Sequence, residues 1–253
     1  MGQQSYLLGL IGDGVRHSLT PPMHGQKGAA LSLRLVNRPI ELTLDLHQPF
    51  RDLEGVTEDL FVNNLARLEA KFQLMQELDM DLILVPSNAG TATIDDDDEV
   101  VADQLRRAAK LASRYNMWIA YEALAWGTFV NTYWHSWQLV HEANHPNLGI
   151  CLDSFHFLSR RDDPSRITDI AGDKIFFVQQ ADAPDLGMDL LPWSHHRVFP
   201  GEGSFDTVGF MAHLTTAGYS GPLSLEIFND VFRETVPSIT AVDGLHSLHR
   251  DVR

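Results

Sequence analysis

The sequence predicts an α/β fold of the TIM type, a (β/α)8-like barrel that is incomplete or altered at its first βα units. Three observations carry this. Short apolar runs of strand composition alternate with helix-like stretches over most of the chain, the pattern of parallel βα units. Four of those runs end on an oxygen-bearing side chain: Glu122, Asp153, Gln179 and Glu226. At 253 residues, the chain also has the length of one barrel with one large core.

Leu7 to Ile11 reads as the first strand, ended by the Gly12-Asp13-Gly14 turn. Pro21-Pro22 opens a helix to about Leu33, and Arg34 to Leu46 is β-rich, interrupted by Pro39. Glu58 to Leu78 is the clearest helix, because Phe61, Leu65, Leu68, Phe72 and Met75 make one apolar stripe. Asp81 to Val85 is a buried strand leading into Pro86-Ser87-Asn88. The acidic run Asp95 to Glu99 suits a helix N-terminus, and Val101, Leu105, Ala108 and Ala112 continue that helix. A strand from Met117 runs into Glu122, and helix follows from Val130 to His145. Leu148 to Leu152 is the strand that ends on Asp153. Arg166 to Ile170 is a short helix before the Ile175 to Val178 strand and Gln179. A long loop, Ala181 to Ser204, precedes a helix from Phe205 to Ala217 closed by Gly218. Leu223 to Leu225 runs into Glu226, and Ser238 to Arg250 is the last helix.

The net charge of −15 argues against nucleic acid or an anionic membrane as partner, since phosphate binding needs a basic surface. Small anionic substrates remain open, because a few local arginines override the global field. The single cysteine, Cys151, sits in an apolar run and reads as a buried structural thiol. No apolar run approaches a membrane span, and the start Met1-Gly2-Gln3-Gln4-Ser5-Tyr6 lacks the features of a signal peptide. A cytoplasmic location is therefore expected, and a homo-oligomer is compatible with the sequence.

In a parallel barrel the four strand-end residues converge on one face, where barrel enzymes place their sites. Three carboxylates and one amide offer only oxygens. That set suits a hard divalent ion such as Mg2+ or Mn2+, and without a cation the acids repel one another and titrate high.

From about Leu42 to Arg250 the chain resembles the bacterial 3-dehydroshikimate dehydratases, within the metal-dependent sugar-phosphate isomerase/epimerase barrel superfamily. The resembling segments are QPFRD at Gln48–Asp52, YEALAWG at Tyr121–Gly127, CLDSFH at Cys151–His156, FFVQQADAP at Phe176–Pro184, HHRVFPGEG at His195–Gly203 and SLEIFND at Ser224–Asp230. Carried over, the family's metal ligands fall on Glu122, Asp153, Gln179 and Glu226, with Mg2+, Mn2+ or Co2+ as the expected ion. The segment from Gly9, GLIGDGVRHSLTPPMHGQKGAALSLRLVNRPIEL, is instead similar to the N-terminal substrate segment of shikimate/quinate dehydrogenases. Residues 1–42 then supply the first βα unit, and residues 43–253 form the barrel. The catalytic-lysine segment of those dehydrogenases does not follow, and no GxGxxG loop appears, which argues against hydride transfer to a nicotinamide.

The resemblance implies loss of water from 3-dehydroshikimate to give protocatechuate. His156, three residues past a ligand, is the candidate for acid/base work, because imidazole titrates near neutral pH. Arg197, then Arg51, are the candidates for the substrate carboxylate, with His195 or His196 contributing. Ser87 and Asn88 are further polar contacts at a strand end. Ser18 and Thr20 read as caps of the Pro21-Pro22 helix. A sugar or keto-sugar isomerase or epimerase on the same site, and an inactive chimeric relic, are the alternatives.

Overall fold

Strand and helix composition sort this chain into parallel βα units, and a computed structural model shows how they assemble. It describes residues 5–12, 34–41, 53–90 and 97–251, the first two stretches by their backbone alone. Arg51, Ser18, Thr20, the Pro21-Pro22 helix, the QPFRD segment and the first two acids of the Asp95 run lie outside the described residues.

Two sheets are described. In the first, β1 (Ser5–Gly12) pairs in parallel with β2 (Arg34–Glu41), in register over eight residues. The second is a half-barrel of five parallel strands in sequence order: β3 (Leu82–Pro86), β4 (Trp118–Glu122), β5 (Leu148–Asp153), β6 (Ile175–Gln180) and β7 (Leu223–Leu225). Helices alternate with these strands, as the sequence predicts.

The helix α1 (Glu58–Glu77) buries Phe61, Leu68, Phe72 and Met75 of the stripe read from the sequence, with Leu65 half-buried. The next helix, α2 (Asp98–Arg114), starts where the Asp97 carboxylate accepts the N–H groups of Glu99 and Val100, and it buries Val101, Leu105, Ala108 and Ala112 against the sheet. Helix α3 (Tyr133–Ala143) is shorter than the predicted Val130 to His145. Thr132 caps its start, and Asn144, in a left-handed conformation, ends it. Two short pieces follow. Helix α4 (Ser154–Ser159) springs directly from β5, and a 3-10 turn, Pro164–Asp169, stands where a short helix was expected. Pro164, at its first position, takes no hydrogen bond away there.

The expected loop from Ala181 to Ser204 contains a single helical turn, α5 (Leu190–Trp193), and an antiparallel bridge between Asp182 and Val198. Beyond it lie α6 (Thr207–Thr216), α7 (Asp230–Arg233) and α8 (Pro237–Asp251). Strand β5 is buried at every residue, as expected of a parallel strand covered on both faces. The main core lies between strands and helices. A smaller cluster of Phe155, Ala181, Ala183 and Trp193 sits beyond the strand ends.

Candidate metal centre

Ladder register gathers the strand ends, in stagger, along one edge of the sheet. Glu122 stands opposite Cys151, Asp153 opposite Gln179, and Gln179 opposite Ser224. The Glu226 N–H donates to the Gln180 carbonyl at 3.1 Å, one step past β7. One ligand atom each from Glu122, Asp153, His156 and Glu226 lies within 4.8 Å of all the others. Three of the four predicted ligands therefore come together, joined by the predicted catalytic histidine. The fourth, Gln179, is buried beside them and hydrogen-bonds to the Glu226 side chain. Its Oε1 also accepts from the Cys151 Sγ at 3.3 Å.

Local structure orients each group. The Asp153 Oδ1 accepts the Phe155 N–H at 2.7 Å, capping α4 and leaving Oδ2 for the site. His156 lies one turn into α4, with Nε2 3.7 Å from the Asp153 Oδ2 and 3.9 Å from the Glu122 Oε1. Its Nδ1 accepts the Ala125 N–H at 3.1 Å. A nitrogen that accepts from a backbone amide carries no proton, so the neutral ring holds its proton on Nε2. Trp126 meets the ring edge-on at 4.9 Å.

Arg197 is fully buried. Its Nη1 donates to the Asp153 Oδ2 at 2.7 Å and to the Glu226 Oε2 at 2.8 Å. The guanidinium carbon lies 4.5 Å from the Phe155 ring and 5.0 Å from the Phe228 ring. Among the described residues, Nε and Nη2 are buried without hydrogen-bond partners. Two unpartnered donors in a fixed fork are costly to bury alone and match a carboxylate.

The charges settle accordingly. Burial, then the charges of Glu226 and Asp153, hold the Glu122 carboxyl well above the usual range. Burial pushes Glu226 up to about 8, aided by the charge of Asp153 and opposed by Arg197. Asp153 goes the other way: burial raises it, but Arg197 and His156 together bring it below the usual value. Neighbouring acids that cannot all ionise divide in this way, and here Asp153 carries the charge while Glu226 keeps the proton. Burial lowers His156 to about 4, despite the neighbouring Asp153. Deprotonated, these side chains form a hard, anionic donor set that fits a divalent cation.

The remaining predicted residues sit further out. The Ser87 Oγ accepts the Leu124 N–H at 3.0 Å, and the Ser87 N–H donates to the Glu122 carbonyl at 2.7 Å. Asn88 donates from its backbone N–H to the Glu54 Oε1 and from Nδ2 to the Glu54 carbonyl. Ser87 thus shapes the loop that carries Ala125. His195 is exposed, with its ring 6.5 Å from that of Phe228, and neither His195 nor His196 joins the carboxylate cluster. The sequence reading missed Trp126 and Asp182, which carry no strand-end or spacing signal of their own.

A family model described as xylose isomerase-like TIM barrel matches residues 21–248. A 3-dehydroshikimate dehydratase of Pseudomonas putida is 51% identical over 222 residues, 87% of this chain and 35% of that protein. A solved structure, a xylose isomerase-like TIM barrel/4-hydroxyphenylpyruvate dioxygenase fusion protein, superposes with a TM-score of 0.80 at 46% identity. It covers 96% of this chain and 38% of its own. The chain thus spans little more than a third of the length of either relative. A shikimate dehydrogenase (NADP(+)) of Pseudarthrobacter chlorophenolicus is 59% identical over 39 residues, 15% of this chain and 13% of that protein.

Proposed function

The chain belongs to the xylose isomerase-like TIM barrel family, and from that premise we propose that it is a carbon–oxygen lyase that dehydrates 3-dehydroshikimate to protocatechuate. The observation that carries this is the adjacency of two sites. A cluster of carboxylates able to hold a cation lies beside a buried guanidinium with two donors to spare. A keto-acid substrate presents one group to each. The 51% identity to a protein of that name supports the same reading.

The reaction takes a proton from the carbon α to the ketone and delivers it to the departing β-hydroxyl, which leaves as water. Glu122, Asp153, Gln179 and Glu226 would hold the divalent ion, which when bound supplies Lewis acidity to the ketone oxygen. Mg2+, Mn2+ and Co2+ all suit such a donor set. Arg197 takes the substrate carboxylate through Nε and Nη2 and fixes the orientation of the ring. His156 holds a proton at Nε2 beside the reacting carbons and hydrogen-bonds to the departing hydroxyl. Trp126 and Phe155, packed against His156, keep bulk water off that ring. His195, against Phe228, is a further candidate contact for the substrate, and Arg51 is a second candidate for the substrate carboxylate. Ser87 and Asn88 support the loop behind His156.

We also propose that residues 1–42 supply the first βα unit ahead of a barrel formed by residues 43–253. The parallel pairing of β1 with β2 supports this, because parallel neighbours need a crossover between them.

The test is formation of protocatechuate from 3-dehydroshikimate by purified protein supplied with Mn2+ or Co2+. Absence of product overturns the lyase reading. Rearranged keto-sugars detected by product NMR would favour an isomerase, and tight metal binding without any turnover would favour an inactive relic.

A further inference from the structure

The loop that delivers Arg197 is organised by one acid to which the proposed chemistry gives no role. Asp182 is fully buried, two residues beyond the end of β6. Its Oδ1 accepts the N–H groups of Ala183 at 2.7 Å and Phe205 at 2.9 Å. Its Oδ2 accepts those of Gly203 at 2.9 Å and Gly201 at 3.1 Å. Its own backbone exchanges two hydrogen bonds with Val198, N to O at 3.0 Å and O to N at 2.8 Å. Six hydrogen bonds thus converge on one residue, and five of them reach the loop from Val198 to Phe205. Arg197 directly precedes Val198.

Glycine at 203 is part of the same device. A Cβ there would lie 2.3 Å from the Asp182 Oδ1 and 2.5 Å from the Ala183 carbonyl, so the loop closes this tightly only without a side chain. On the other flank the Asn229 Nδ2 donates to the Arg197 carbonyl at 2.9 Å. The backbone at Arg197 is therefore held from β6 through Asp182 and from the start of α7 through Asn229.

We propose that Asp182 is a positioning residue for substrate binding: through the loop it fixes, it sets the placement of the Arg197 fork. The physical case is preorganisation. A guanidinium helps orient a substrate only if its own geometry is locked beforehand, and a loop lacking regular ladders takes that rigidity from buried, satisfied polar groups. A carboxylate accepting four backbone amides supplies it without entering the cavity. The proposal rests on Arg197 as the partner of the substrate carboxylate.

The experiment is a double-mutant cycle on Asp182→Asn and Arg197→Lys, in full-length protein supplied with Mn2+. It measures KM and kcat with 3-dehydroshikimate, protocatechuate affinity by tryptophan fluorescence, and Mn2+ affinity. Asparagine keeps the shape but replaces one acceptor oxygen with a donor. The expected result is a KM about tenfold higher in Asp182→Asn, with Mn2+ affinity within about twofold of the parent. In the Arg197→Lys background the same change should add less than about twofold, because its route of action is already broken. An unchanged KM, equal factors in both backgrounds, or Mn2+ affinity falling in step with KM would each overturn the proposal. Should Asp182→Asn fail to fold, Asn229→Ala probes the opposite flank, with the same dependence on Arg197 expected and an effect independent of it counting against. A parent protein that neither turns over 3-dehydroshikimate nor binds protocatechuate would remove the lyase reading itself. An active parent matched by an equally active Asp182→Asn would remove only the role of Asp182.

Discussion

Glu226 is where the candidate site meets pH. Its carboxyl titrates at about 8 rather than near 4.5, so the folded protein holds a proton that the unfolded chain has released. Its contribution to the stability of the metal-free protein is whole below about pH 4.5 and is lost as pH rises through about 8. His156 works in the opposite sense. Lowered from 6.5 to about 4, it favours the fold above about pH 6.5, and that contribution disappears as pH falls through about 4. Metal must displace the protons that Glu226 and Glu122 hold, so Mn2+ affinity is expected to climb by at least about tenfold per pH unit between pH 6 and pH 8. Titrations at several pH values check this. Asp153→Asn should weaken Mn2+ binding by more than the 10–100-fold typical of an outer-shell partner, and calorimetry would register it. At this scale the sequence was informative wherever a residue closes a strand. Glu122, Asp153 and Glu226 could be picked out because strand ends in a parallel sheet share a face. Asp182 could not, since its significance lies in amides up to 23 residues away.

Helix α2 shows how the elements were legible. Its acidic start and its spacing of Val101, Leu105, Ala108 and Ala112 marked it in sequence, and Asp97 proves to be the cap. Asp97→Ala should cost about 1 kcal/mol, seen as a lower denaturant midpoint with an unchanged slope. Between β5 and β6 the constraint is steric. A Cβ on Gly149 would lie 2.6 Å from the Lys174 carbonyl and 2.7 Å from the Phe176 ring. Gly149→Ala is accordingly expected to destabilise by about 1–3 kcal/mol, measured the same way. The turn α5 is too short to show a period, and the short helix expected from Arg166 to Ile170 proves to be the 3-10 turn over Pro164–Asp169. The Asp163 side chain, which accepts the Ser165 N–H at 2.9 Å, starts that 3-10 turn.

For the whole molecule, the alternation of parallel strands and helices was legible in the order of apolar runs and helix-like stretches, whereas the family match begins at residue 21, beyond β1. The net charge of −15 and the three gathered carboxylates make a bound cation a matter of stability as well as chemistry. At a hundred times its dissociation constant a metal adds about 2.7 kcal/mol, which raises the melting temperature by about 5–10 °C in a chain of this size. Addition of EDTA should reverse that shift, and an unmoved melting curve would count against the metal. Cys151 gives the same equilibrium a second readout. It is the chain's sole thiol, sealed beneath the acids at 2% exposure and hydrogen-bonded to Gln179, so an alkylating reagent reaches it only during transient breathing of the mouth. The labelling rate then acts as a clock for those excursions, and a bound ion should slow it.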